Sequence, residues 1–440
     1  MAVKFGTDGV RGVANADLTP SYVLDLGRAA ARVLGLGRVL IGRDPRVSGP
    51  ILEAALAAGL ACEGAQVELL GMLPTPAIAQ MAAAEGVAAA VITASHNSFG
   101  DNGVKLFAPG GRKLPDDVEQ RIEAELDALG APERQGAEVG TITTRTDGAD
   151  RYVAHIVSLF PAGSLADFSL VLDCANGAMT EVAPTAVRAL GGHPTVLFAE
   201  PDGININAAC GATSPAGLAA TVVESGATMG LAFDGDGDRL IAVDHTGRIV
   251  DGDQIIALLA TDLRARGHLA ADTVVVTVMS NLGFHRAMAA AGIDVVTTAV
   301  GDRYVLEALA AGGFSLGGEQ SGHLIVSDLA TTGDGLLAGL LLVDLVRRSG
   351  RPLAELAREA MTVYPQVLTN IRVAERRPDI AEVIADDIAA VEAELGDDGR
   401  VLVRVSGTEP LVRVMVEALD ADVARSAAGR LAAAVSAACA

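Results

Sequence analysis

The chain has 440 residues, half of them hydrophobic, and its 55 acidic against 33 basic residues give a net charge of −22 at pH 7. That length suits about three globular domains, and the negative surplus repels phosphate backbones, so nucleic acid is excluded as an expected partner and any anionic substrate must be caught by locally placed cations. The longest apolar run, residues 335–346, is broken by Asp344 and falls short of the roughly 20 residues of a membrane helix. No membrane partner is expected.

The opening MAVKFGTDGVRG carries charge and glycine where a signal peptide needs an unbroken apolar segment, so a cytoplasmic location is expected. Cys62, Cys174, Cys210 and Cys439 lie far apart and form no C-x-x-C pair, which points to neither a zinc cluster nor a disulfide framework. Arg11 in FGTDGVRG and Arg43 in GRDPRVSG place single cations in glycine-rich loops. Taken singly, each reads as a surface or salt-bridge residue first.

Three segments share a rhythm of apolar strand, polar loop, Ala-rich helix, Gly and second apolar strand: 38–70, 168–198 and 272–300. Near-continuous apolar strands are the mark of parallel strands covered on both faces. The pattern predicts three similar α/β domains built on β-α-β units, over 1–150, 151–250 and 251–366. The fourth segment, RVLVRVSGTEPLVRVMVEAL at 400–419, reads as two strands around a short loop and leads into a helical stretch from 420. This predicts a smaller C-terminal α+β domain over 367–440. The charged stretches near 115–130 and 376–395 read as solvated helix faces.

Four loops could carry chemistry. In AAAVITASHNSFGDNGVK, 88–105, a buried-type strand delivers Ser95, followed by His96, Asn97 and Lys105; the plain alternative is that Ser, Asn and Gly end a strand as turn residues. LAFDGDGDRLIAV sets Asp234, Asp236 and Asp238 at alternate positions between two apolar strands, with Arg239 next. Three converging carboxylates repel one another unless a hard divalent cation such as magnesium or calcium neutralises them; an acidic hairpin turn is the alternative. A calcium EF-hand loop is excluded, because Arg239 and His245 stand where its Gly and Glu belong.

SLGGEQSGHLIVS, 315–327, offers Glu319, Gln320, Ser321 and His323, a set suited to a polyhydroxylated ligand, although a polar Gly-rich turn accounts for it as well. RVSGTEPLVRV brings Arg404 and Arg413 to either side of Ser406, Gly407 and Thr408, the groups of a phosphate clamp. Neither the Walker pattern nor G-x-G-x-x-G is present, so a nucleotide is not the expected ligand. A seryl hydroxyl, a triple-Asp site, a hydroxyl-reading loop and a phosphate clamp together suit phosphoryl transfer on a sugar phosphate.

With TASHN, DGDGDR, GEQSGH and SGTEP in this order along its whole length, the chain resembles the α-D-phosphohexomutase family. FGTDGVRG and the Gln of GEQSGH resemble most the phosphoglucosamine mutase branch. The resemblance implies four domains around a central cleft and a phosphate carried on Ser95. It implies Mg²⁺ held by Ser95 with Asp234, Asp236 and Asp238, sugar contacts from Glu319 and Ser321, and a phosphate held by Arg404, Ser406, Gly407, Thr408 and Arg413. Lys105, then His323 and Arg11, match positions near the reacting oxygens, with Arg239 beside the metal.

The implied reaction converts glucosamine 6-phosphate to glucosamine 1-phosphate through a bisphosphate, feeding UDP-N-acetylglucosamine and cell-wall synthesis. A phosphomannomutase or phosphoglucomutase of the same family and a non-catalytic sugar-phosphate binder are the competing expectations. The oligomeric state is not read from the residues, a homodimer being one arrangement. Two departures stand out: Ser98 where the family usually has Pro, and Val405 before SGT. A further expectation is that the fourth domain moves about a single connection near 363–370.

Overall fold

The computed structural model describes residues 4–6, 8–35, 37–132, 134–375, 377–405 and 411–439. Contacts divide the chain into two compact units, Met1–Met279 with Ile293–Arg358, and Ser280–Gly292 with Glu359–Ala440.

The first unit is built on three mixed sheets. In the first, strands run in the order Phe5–Gly6, Gly9–Val13, Asp101–Ala108, Ala88–Ile92, Arg38–Arg43, Gln66–Met72 and Ile142–Thr144, with Arg112–Lys113 paired to Asp101–Ala108. The second runs Thr195–Leu197, Leu170–Asp173, Met229–Phe233, Leu240–Asp244 and Ile249–Val250. The third runs Asp294–Thr298, Thr273–Thr277, Leu316–Gly318 and Leu324–Val326. Each expected β-α-β segment is present as a parallel pair: Arg38–Arg43 with Gln66–Met72, Leu170–Asp173 with Thr195–Leu197, and Thr273–Thr277 with Asp294–Thr298.

All five residues of Ala88–Ile92 and of Met229–Phe233 are buried. This is why these strands read as unbroken apolar runs rather than alternating ones. Small residues allow the helices above the first sheet to approach closely. A Cβ on Gly59 of helix Gly49–Cys62 would lie 2.0 Å from the Leu24 carbonyl oxygen of helix Pro20–Leu34, so a side chain there would force the pair apart. The apolar run at 335–346 belongs to helix Gly335–Ser349, mostly buried up to Val346 and capped by Asp334, whose Oδ1 accepts the Leu337 N–H at 2.9 Å. It is an interior helix, and among the described residues no helix is long and apolar enough to cross a membrane.

The second unit is an antiparallel sheet in the order Gln366–Arg372, Leu411–Ala418 and Gly399–Val405. Val412, Val414 and Val416, at alternate positions, share a core with Ala424, Ala427, Ala428, Leu431 and Val435 of helix Ala421–Ala438. One feature differs from the sequence reading. The segment taken as a connection near 363–370 contributes an edge strand paired over Gln366–Arg372 with Leu411–Glu417, a half-exposed alternating strand rather than a linker. The helix of the third repeat, Leu282–Ala290, is also grouped with this unit. Asn281 explains its attachment: its Oδ1 accepts the Tyr364 N–H at 3.0 Å, its Nδ2 donates to the Tyr364 carbonyl at 2.8 Å, and the next N–H, of Leu282, donates to Glu417 at 3.1 Å.

Candidate active site

The three candidate loops of the first unit occupy equivalent places. Each follows the last parallel strand of its sheet and leads into an antiparallel neighbour: Ala88–Ile92 into Asp101–Ala108, Met229–Phe233 into Leu240–Asp244, Leu316–Gly318 into Leu324–Val326. Loops at the carboxyl ends of parallel strands are where open α/β sheets place ligands.

Ser95 sits in a left-handed backbone conformation, φ +53°. For a residue other than glycine this conformation needs support from its surroundings. The Ser95 N–H donates to Thr93 Oγ1 at 2.9 Å, and its Oγ donates to Asp234 Oδ2 at 2.6 Å and lies 3.3 Å from His96 Nδ1. Burial, followed by nearby Arg239 and Arg11, lowers the His96 pKa to about 4, so this ring is neutral beside the serine.

Asp234, Asp236 and Asp238 are all buried and bring carboxylate oxygens within 4.8 Å of one another. Glycines make the approach possible: a Cβ on Gly235 would lie 2.6 Å from the Ser95 carbonyl oxygen, and Gly237 has φ +76°. Burial, then the Asp238 and Asp236 charges, pushes the Asp234 pKa up to about 8. Asp236 Oδ1 is buried with no hydrogen-bond partner, while Asp238 Oδ1 has the His323 Nδ1 3.5 Å away. A set of hard carboxylate oxygens that repel one another, with Asp236 Oδ1 and Asp238 Oδ1 left without a hydrogen bond, fits a divalent cation. An acidic turn gains nothing from that repulsion.

The remaining charges form an alternating network. Lys105 Nζ lies 2.8 Å from Asp236 Oδ2, 2.8 Å from Asp238 Oδ2 and 2.9 Å from Asp8 Oδ2. Burial opposes its charge, but these carboxylates hold its pKa well above the usual lysine range. Asp8 also pairs with Arg11 and Lys113, and Lys113 with Asp302. His323 closes the ring, its Nε2 3.5 Å from Asp302 and its Nδ1 facing Asp238. Because the Gly333 N–H points at Nε2, 3.2 Å away, the neutral ring carries its proton on Nδ1. Burial works against a second proton, but Asp238 and Asp302 overcome it and raise the His323 pKa.

Arg239 is drawn towards Asp234, Asp238 and Glu319 and forms a backbone bridge with His323, which ties the carboxylate loop to the third loop. Glu319 Oε1 accepts the Gly301 N–H at 3.1 Å, and Ser321 on the same loop is exposed. The first unit therefore brings together Arg11, Ser95, Lys105, Asp234, Asp236, Asp238, Arg239, Glu319 and His323.

In the second unit Arg404 and Arg413 are direct partners in the antiparallel register. Burial first, then the Arg413 charge, lowers the Arg404 pKa. Like charges directly opposite are destabilising, and an anion between them removes that cost. Ser406, Gly407 and Thr408 lie outside the described residues.

Asp8, Thr75, Lys113 and Asp302 were not singled out from sequence. Thr75 Oγ1 donates to Asp236 Oδ2 at 2.6 Å across a sequence separation of 161, and nothing local marks it. Asp8 lies inside FGTDGVRG, where an Asp followed by Gly in a glycine-rich segment was the available signal.

Comparison with known proteins accords with this geometry. The phosphoglucomutase/phosphomannomutase α/β/α domains I, II and III match residues 2–132, 150–247 and 251–364, and the C-terminal domain of that family matches 368–434. The chain is 52% identical over 443 residues to a phosphoglucosamine mutase of Rhodococcus opacus, covering 98% of this chain and 99% of that protein. It is 54% identical over 449 residues to one of Streptomyces avermitilis, covering 99% of both. Among solved structures, a phosphoglucomutase/phosphomannomutase family protein of Burkholderia thailandensis superposes with a TM-score of 0.80 at 26% identity, covering 98% of this chain and 97% of that one. An Aspergillus fumigatus N-acetylphosphoglucosamine mutase, solved with GlcNAc-6P and magnesium, shares the fold with a TM-score of 0.68 at 19% identity, covering 100% of this chain and 96% of that one. With all four domains matched in order and the carboxylate loop facing the serine, the chain belongs to the phosphoglucomutase/phosphomannomutase family.

Proposed function

We propose that the protein is a cytoplasmic phosphoglucosamine mutase that interconverts glucosamine 6-phosphate and glucosamine 1-phosphate, the product feeding UDP-N-acetylglucosamine and cell-wall synthesis. The observation that carries the reading is the Ser95 hydroxyl, presented by a left-handed residue at a strand end and 2.6 Å from Asp234 within three clustered carboxylates. Full-length identity above 50% to phosphoglucosamine mutases supports the choice of sugar.

In the forward direction the sugar 1-hydroxyl oxygen attacks the phosphorus on Ser95. The O1–P bond forms, the P–Oγ bond breaks, and the hydroxyl proton passes to a protein base. The bisphosphate turns over, and Ser95 Oγ attacks the 6-phosphate. The Oγ–P bond forms, the O6–P bond breaks, and O6 takes a proton. Phosphoserine brings a charge of about −1.5 to −2 to a loop already beside three carboxylates. Asp234, Asp236 and Asp238 would hold Mg²⁺, which supplies charge neutralisation and polarises the phosphoryl group when bound.

Lys105 is the first candidate to carry the hydroxyl proton and His323 the second. With a cation on the carboxylates, Lys105 loses the full pull of two of its three partners, and the neutral amine becomes less costly. Arg11 and Arg239 supply positive charge beside the transferred group. Glu319 and Ser321 read the sugar hydroxyls, and Arg404 and Arg413, with Ser406, Gly407 and Thr408, hold the phosphate that is not reacting. No nucleic-acid or membrane partner is proposed; a homodimer is the assembly to test by light scattering.

The test of substrate is kcat/KM for glucosamine, mannose and glucose 6-phosphates under one assay. The glucosamine substrate is expected to lead. A preference for either neutral sugar would move the protein to another branch of the family.

A further inference from the structure

We propose that Arg46 is a positioning residue for phosphoryl transfer, a clamp that fixes the backbone of the Ser95 loop without touching substrate. The inference rests on the mutase reading and adds a part to it. Arg46 is fully buried, with 0% exposure. Its guanidinium uses every N–H it has. Nε donates to Asp44 Oδ2 at 2.8 Å, Nη2 donates to the carbonyl oxygens of Ser95 at 3.0 Å and Asn97 at 2.8 Å, and Nη1 donates to those of Asp101 at 3.0 Å and of Ser98. Four of these acceptors are consecutive or near-consecutive carbonyls of one loop, the one that carries the nucleophile. Asp44 completes the brace, because its Oδ2 also accepts the Thr93 hydroxyl at 2.7 Å, and Thr93 Oγ1 in turn accepts the Ser95 N–H.

A second residue braces two of the same carbonyls. Asn207 Nδ2 donates to the Ser95 carbonyl at 2.9 Å and to that of Asn97 at 3.1 Å. A buried ion pair such as Arg46 with Asp44 is weak support for stability in itself. What it supplies here is over-determination of one backbone: Ser95 keeps φ +53° only while its neighbours leave no alternative. Lysine cannot substitute for the planar fork, because its ammonium is a point with three donors that cannot span four carbonyls.

The experiment compares wild type, Arg46→Lys and Asn207→Gly. Glycine keeps the positive φ of Asn207 (+56°) while removing its donors. Three readouts are taken: kcat and KM for glucosamine 6-phosphate, scaled to the folded fraction; melting temperature; and hydrogen exchange of the amides of 95–101. The expected result is a kcat lowered about 10- to 100-fold in Arg46→Lys, the scale of a displaced reacting group. Asn207→Gly should show a smaller loss in the same direction, KM should stay within about twofold in both, and the loop amides should exchange faster.

Unchanged kcat per folded molecule in both variants, or loss confined to KM, would overturn the proposal. Should Arg46→Lys fail to fold, Asn207→Gly decides alone by the same criteria. Failure of the mutase reading looks different. Wild type would then turn over no sugar phosphate, and the exchange arm would still show whether the clamp holds the loop.

Discussion

Replacing Lys105 by Met keeps an unbranched side chain, one heavy atom shorter, and removes the positive charge from among three carboxylates. Lys105 is 1% exposed, and its Nζ is within 2.9 Å of Asp8, Asp236 and Asp238. Removing one partner from a buried charged set costs about 3–5 kcal/mol. At about 2 °C per kcal/mol for a body of some hundreds of residues, that is a fall in melting temperature of roughly 6–10 °C in EDTA. A ligand at one hundred times its Kd returns about 2.7 kcal/mol. Because Met no longer competes for Asp236 and Asp238, the rise in melting temperature on adding Mg²⁺ should be larger in the variant than in wild type. Turnover should stay low in both conditions.

Differential scanning fluorimetry of both proteins, in EDTA and across a Mg²⁺ titration, reads all of this. A loss below about 2 °C, or a Mg²⁺ increment no larger than that of wild type, would refute the claim that Lys105 and the metal share carboxylates.

Ser95→Ala should abolish turnover with fold and sugar-phosphate binding kept, measured by coupled assay and calorimetry; near-normal activity would remove the phosphoserine step. Asp236→Asn should weaken metal affinity and activity together, with excess Mg²⁺ restoring the rate only in part, and an unchanged metal dependence would reduce the three carboxylates to a turn. The Asp234 pKa of about 8, against about 3.9 when unfolded, means that the metal-free native state binds more protons than the unfolded chain between those values. This group's contribution to metal-free stability therefore falls as pH rises from about 4 to 8. Mg²⁺ binding at pH 7 should accordingly release a proton, seen as a dependence of the binding heat on buffer ionisation enthalpy; no dependence would contradict the shift. Arg404→Gln should raise KM for the sugar phosphate, weaken the salt dependence of binding and leave melting temperature unchanged or higher, since it removes a like-charge pair; an unaltered KM would show that the pair holds no phosphate.

What sequence made legible was whatever could be read within one loop. Asp234, Asp236 and Asp238 repel one another too strongly to be accidental, and Ser95 ends an unbroken buried strand. Arg404 and Arg413 flank one short loop, so an antiparallel hairpin had to set them opposite each other. Long-range partners left no such mark. Thr75 and Arg46 reach acceptors in other loops, and only the fold reveals that Arg46 has no free N–H. The repeats located the parallel pairs, but the chemistry lies one strand further on, at the turn into an antiparallel neighbour. Helix Leu282–Ala290 lies within the matched third domain, but the bond from Asn281 at its start to Tyr364, 83 residues away, leaves no mark in local periodicity. The strand Gln366–Arg372 was missed because a half-exposed edge alternates weakly and follows a Pro.

The most direct test of the central claim is mass analysis of the Ser95 peptide after the enzyme has been dephosphorylated and then mixed with glucosamine 1,6-bisphosphate. The account predicts gain of one phosphate, localised to Ser95, and its loss to glucosamine 6-phosphate or glucosamine 1-phosphate added afterwards. Turnover with Ser95 never phosphorylated, or phosphate found on another residue and passed on to sugar, would contradict it.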